Sequence, residues 1–156
     1  VWYRFHLLTT IRILFKRTRY QTKQITSKKR INVKTRIIDE ILLQELINLG
    51  QDVGQALVPE LMQKFRAEFP TQLLKLRALI SEKDFPAIEL FAHSIKGSAA
   101  TLGAMRVHKA CEIIEENAAN LSEVTEAQLN DVQFEVTKAF IYLDNFVAES
   151  SALFAA

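Results

Sequence analysis

His93 and Lys96 stand about one helical turn apart in the stretch Phe91-Ala92-His93-Ser94-Ile95-Lys96-Gly97-Ser98-Ala99-Ala100-Thr101-Leu102-Gly103. A neutral imidazole is a competent nucleophile near physiological pH. An ammonium group one turn on offsets part of the negative charge that a phosphoryl group would bring to the ring. Glycine inside a helix costs roughly 1 kcal/mol relative to alanine, so a helix that keeps Gly97 there uses the missing side chain. Ile88, Phe91, Ile95, Ala99 and Leu102 recur at spacings of three and four, which predicts a helix through the stretch. At about 100° per residue, Glu89, His93, Lys96, Gly97 and Ala100 share the face opposite that apolar stripe. His93 is therefore expected to point outward, over a low floor of Gly97 and Ala100.

The other candidates for chemistry are weaker. His108 has no lysine-glycine pair after it and reads as an exposed helix histidine; His6 lies in a basic N-terminal segment. Three dispersed histidines and one cysteine give no metal-ligand spacing, so no metal site is expected. Cys111 falls on an apolar stripe and reads as a small core residue. Glu112, Glu115 and Glu116 read as a solvated face. Without a Gly-rich phosphate loop, nucleotide fingerprint or nucleophile elbow, the chain is not expected to bind ATP or to act as a kinase.

Several helices must position these residues. Ile37, Ile38, Ile41, Leu42, Leu46 and Leu49 predict a short amphipathic helix ending at Gly50. Val58, Leu61, Met62, Phe65, Phe69, Leu73, Leu76 and Ile80 keep one phase across Pro70, favouring a single bent helix over two. Asp84 is a natural N-cap for the His93 helix, with Pro86 tolerated in its first turn and Gly103 ending it. Val107, Ala110, Cys111, Ile114 and Ala118 mark the next helix. Thr125-Glu126-Ala127-Gln128 has the form of a capping box, opening a helix striped by Leu129, Val132, Val136, Phe140, Leu143 and Val147. Short links between long helices imply antiparallel neighbours. The expected fold is all-α: an antiparallel four-helix bundle with an additional short N-terminal helix.

Charge divides the chain. Residues 1–36 hold eleven of the twenty basic residues and no acidic one; residues 37–156 hold nine basic and eighteen acidic residues, a net of −9. The expected organisation is a basic N-terminal extension over 1–36, a folded domain over 37–150 and a short tail over 151–156. For the extension, the readings are a flexible extension or remnant of a longer chain, a targeting segment, a juxtamembrane linker, or a contact with nucleic acid or an anionic membrane. At 49% apolar residues the chain can bury a sizeable core. The lone cysteine rules out an intramolecular disulfide framework, and no stretch reaches the roughly 18 apolar residues of a membrane span, so a cytoplasmic location is expected.

His93-Ser94-Ile95-Lys96-Gly97-Ser98-Ala99, followed by Leu102-Gly103-Ala104 and Ala110-Cys111-Glu112-Ile113-Ile114-Glu115, resembles the histidine phosphotransfer (HPt) domain of two-component phosphorelays. Ile95 stands where the family more often has leucine. The resemblance implies that His93 accepts a phosphoryl group from the aspartate of one receiver domain and passes it to another, with Lys96 and Gly97 supporting the phosphoryl site. It implies response-regulator receivers and a hybrid sensor histidine kinase as partners, with no cofactor on this chain and Mg²⁺ supplied by the receiver. Docking is expected around Glu89, Ala100 and Thr101, with Ile41 and Leu42 of the first helix. The alternatives are a degenerate helical binding module without phosphotransfer, and an HPt fragment of a hybrid sensor kinase.

Overall fold

The computed structural model describes residues 36–154, with side chains described to residue 150. The basic segment 1–36, apart from Arg36, lies outside the described residues. Five helices and no strand make up the described residues: α1 (Glu40–Val53), α2 (Leu57–Glu82), α3 (Phe85–Thr101), α4 (Met105–Ala119) and α5 (Glu126–Phe154). α1 packs on α2. α2 also touches α3 and α5, α3 touches α4, and α4 touches α5. Ile88, Ala92, Ile95 and Ala99 of α3, Leu76 of α2, Val107 and Ile114 of α4, and Leu129 and Val132 of α5 are buried in one apolar core. No polar or charged residue among those described is fully buried.

Two ends of α1 correct the sequence reading. Ile37 and Ile38 precede the helix, because Asp39 is its N-cap: the carboxylate accepts the N–H groups of Ile41 (3.2 Å) and Leu42 (3.3 Å). Gly50 does not stop the helix. It is buried inside it, and a Cβ there would stand 2.4 Å from the carbonyl oxygen of Gln55. The stop is Gly54, at φ 66°, a left-handed conformation that glycine adopts without strain. The apolar phase also differs: Leu43 and Leu46 are buried, while Ile41 is half exposed.

The extended residues before α1 are stitched to the turn between α3 and α4. The Asp39 N–H donates to the Gly103 carbonyl at 2.8 Å, and the Met105 N–H donates to the Ile37 carbonyl at 3.1 Å. Between them Ile38 is buried in the core. Gly103 has φ 67°, and a Cβ there would lie 3.1 Å from the Asp39 carbonyl oxygen, so both conformation and closeness call for glycine.

α2 runs unbroken through Pro70 over 26 residues, as the continuous apolar phase predicts. An interior proline costs about 3 kcal/mol. Burying Phe65, Phe69, Leu73 and Leu76 on either side is worth about 1.5–3 kcal/mol each, which outweighs it. Asp84 caps α3 by accepting the Ala87 N–H at 3.1 Å, with Pro86 in the first turn. The capping box opens α5: Gln128 accepts the Thr125 N–H at 2.8 Å and its own N–H donates to the Thr125 hydroxyl at 3.3 Å. α5 continues to Phe154, into the segment set apart as a tail. No described helix is long and apolar enough to cross a membrane.

Candidate phosphoacceptor site

The face of α3 opposite its buried stripe carries His93, and the ring is exposed, its side chain 65% accessible. Glu89 and Gly97 are also exposed; Lys96, Ala100 and Thr101 are half-buried. Nothing lies within 4 Å of where a Gly97 Cβ would stand, so the floor beside the imidazole is open space. The core contact of this helix differs in one detail. Ala92 is fully buried, whereas Phe91 packs against the core only in part.

Glu115 of α4 organises the site. Its Oε1 lies 2.7 Å from His93 Nδ1, and its carboxylate forms an ion pair with the Lys96 ammonium. The glutamate is only 17% accessible, and Lys96 19%, so both are held against the helix surface beneath the exposed ring. Burial pushes the Glu115 carboxyl up. The hydrogen bonds from Lys96 and His93 oppose this and prevail, holding the group below the usual carboxylate range. An ionised carboxylate can only accept, so the proton of a neutral His93 is assigned to Nδ1. The lone pair is then on Nε2, the nitrogen that Glu115 does not engage. This tautomer is what a nucleophile presented to an outside partner requires.

The sequence reading missed Glu115, taking it with Glu112 and Glu116 as a solvated face. Only Glu116 is exposed. Glu112 is half-buried and hydrogen-bonded to Lys109, which holds its carboxyl down against opposing burial. A signal for Glu115 was present. It lies eleven residues after Ala104 as His93 lies eleven before, so a tight turn there pairs the two across antiparallel neighbours. It also borders the buried stripe of Cys111, Ile114 and Ala118.

His108 differs from the expected exposed histidine. It is half-buried, and its Nδ1 is occluded without a hydrogen-bond partner. Nothing there fixes the tautomer or orients the ring as Glu115 does for His93. Cys111 is fully buried, and burial, with Glu115 nearby, pushes its thiol up to about 12, leaving it a small core residue. Ser98 and Thr101 spend their hydroxyls on the backbone, bonding the carbonyls of Ser94 (3.2 Å) and Gly97 (3.0 Å). On α1, Ile41 is half exposed and Leu42 packs partly against the core. The described residues contain no cluster of three or more potential metal ligands.

The Hpt domain model matches residues 60–152, which takes in almost all of α2 to α5. Among solved structures, the chain is similar to histidine-containing phosphotransfer protein B (HptB) from Pseudomonas aeruginosa PAO1. The TM-score is 0.62 at 24% identity, over 71% of this chain and 94% of that one, a likeness of fold. No curated protein matches the chain significantly. The matching model spans more than half of the sequence and contains His93, Lys96, Gly97 and Glu115. The chain thus belongs to the Hpt domain family, the histidine phosphotransfer domains of two-component phosphorelays.

Proposed function

We propose that His93 is the phosphoacceptor of this domain, taking a phosphoryl group from the aspartyl phosphate of one receiver domain and passing it to another. The observation that carries the proposal is the exposed His93 ring, with Nδ1 engaged by Glu115 and open space above Gly97 one turn on. In the step, the Nε2 lone pair attacks phosphorus, the N–P bond forms, and the P–O bond to the receiver's aspartate breaks as the carboxylate leaves. The ring becomes a cation carrying its proton on Nδ1, and Glu115 opposes that charge without a proton having to move. Onward transfer is the same step reversed against a second aspartate. Lys96, one turn away, exchanges part of its pairing with Glu115 for the phosphoryl oxygens.

The receiver supplies Mg²⁺ and its acidic pocket; this chain supplies the imidazole, Lys96 and Glu115, and acts as a carrier, not a kinase. Its partners are response-regulator receiver domains and a hybrid sensor histidine kinase, met in the cytoplasm. The docking surface comprises Glu89, Gly97, Ala100 and Thr101 with Ile41 and Leu42, for which the exposure of Glu89, Gly97 and Ile41 gives support. The transferring module spans residues 37–150 as an antiparallel four-helix bundle, α2 to α5, with α1 as an added helix. The closed circuit of contacts among α2, α3, α4 and α5 supports that arrangement.

The test is transfer of radiolabelled phosphate to the full chain from receiver domains phosphorylated through a sensor kinase. Label stable to alkali and labile to acid is expected on the wild type, and none on His93→Gln. Equal labelling of both proteins would refute His93 as the acceptor.

A further inference from the structure

Of the large apolar side chains exposed among the described residues, Leu90 is the one carried by the His93 helix, and it is 69% accessible. The fold does not call for it. The core side of α3 is supplied by Ile88, Ala92, Ile95 and Ala99. A lone exposed leucine is ordinary on a protein surface. The position of this one is not. At about 100° per residue, Leu90, His93 and Gly97 fall within about 60° of arc on α3. Leu90 stands about 4.5 Å before His93 along the helix axis, and Gly97 about 6 Å after it. The imidazole is thus flanked by a protruding apolar side chain on one side and open space on the other.

The proposed transfer says what covers this surface, and the inference rests on that reading. Attack requires the receiver's phosphorus within about 3–3.5 Å of the ring nitrogen. A specific interface covers about 800 Å² on each partner, so a receiver that close also covers the turns on either side of His93. Leu90 then leaves water near the centre of the contact, where apolar anchors contribute most to binding. We infer that Leu90 is the apolar anchor of receiver docking, filling an apolar recess beside the receiver's phosphoaspartate. It governs binding and takes no part in the chemical step.

The test compares the full-length wild type with Leu90→Gln, His93→Gln and Leu74→Gln. Leu74 is a leucine of similar exposure on α2, 64% accessible. Two donors are used: a phosphorylated receiver domain that labels the wild type, and phosphoramidate, which is too small to touch Leu90. With phosphoramidate the Nε2–P bond forms, the P–N bond breaks and ammonia leaves. Leu90→Gln should keep the helical circular dichroism and the kcat of the wild type, and raise KM for the receiver about 10-fold. It should take label from phosphoramidate at the wild-type rate, and Leu74→Gln should match the wild type with both donors. A KM change in Leu90→Gln below about twofold would overturn the inference, as would an equal rise in Leu74→Gln. So would slowed labelling of Leu90→Gln by phosphoramidate, which would place the leucine's effect on the ring itself. Label from phosphoramidate on His93→Gln, equal to that on the wild type, would overturn the phosphoacceptor assignment, and this inference with it.

Discussion

Glu115 reaches His93 across the α3–α4 pair, its Oε1 2.7 Å from the ring Nδ1, and the same carboxylate holds Lys96. One acidic side chain thus engages both the imidazole and the ammonium of the proposed phosphoryl site. Removing it should harm both. Glu115→Ala is expected to keep the helical circular dichroism of the wild type and to slow phosphoryl acceptance by about 10- to 100-fold, the worth of a hydrogen bond to a charged group. Glu115→Gln retains an acceptor for Nδ1–H but loses the charge, and should fall between. The single-turnover rate of label transfer measures this; a wild-type rate in Glu115→Ala would remove the residue from the mechanism.

The same pairing has a signature in stability. The Glu115 carboxyl titrates lower in the folded domain than in the unfolded chain, so the unfolded state takes up a proton first as pH falls. The contribution is complete above the unfolded carboxyl's range and disappears as pH drops through the folded value. Wild type and Glu115→Gln should therefore differ most in urea midpoint near neutrality and converge in acid. A difference that grows with acidity would contradict the direction of the shift.

Cys111 offers a test of the core. With its thiol pushed up to about 12 and fully buried, almost no thiolate exists near neutral pH. Iodoacetamide should label it slowly in the native chain and readily in guanidinium. Rapid native labelling would mean that α4 is not packed as described.

Two glycines should respond in opposite ways to the same added methyl group. At Gly97 a Cβ meets nothing within 4 Å, so Gly97→Ala should raise stability by up to about 1 kcal/mol through helix propensity. Gly50→Ala places its Cβ 2.4 Å from the Gln55 carbonyl and should cost about 1–3 kcal/mol. Thermal unfolding of the two variants distinguishes them.

Gly97 also separates stability from partner access. Gly97→Phe should fold as well as the wild type, because the space is open, yet slow transfer from a receiver that closes over His93. Unchanged transfer at reduced stability would assign the glycine to packing instead.

Much of this arrangement is written in local spacing. The outward direction of His93 and Lys96 follows from the three-four stripe beneath them, and the caps at Asp84 and Thr125 form the bonds their residue types suggest. What local spacing does not carry is partnership between helices. Glu115 looks like one more acidic residue on α4 until the antiparallel pairing brings it under His93. Gly50 shows the same limit from the other side. Glycine near a helix end usually stops it, but here the returning Gln55 carbonyl occupies the space where a side chain would go, and the stop falls at Gly54. In α1 the apolar residues outnumber the positions that can be buried. Only its packing on α2 decides that Leu43 goes inward and Ile41 outward.

The family match begins at residue 60, but the stitched residues before α1 set a different limit for transplanting the domain. A graft cut at Glu40 would leave the Gly103 carbonyl and the Met105 N–H without their Asp39 and Ile37 partners, and an empty seat where Ile38 packs. The loss would fall on the turn that sets the register between α3 and α4, and so on the alignment of His93 with Glu115. In modular terms, Ile37, Ile38 and Asp39 belong to the same cassette as the His93–Glu115 hairpin, and a fusion joint that keeps the pair aligned belongs upstream of them.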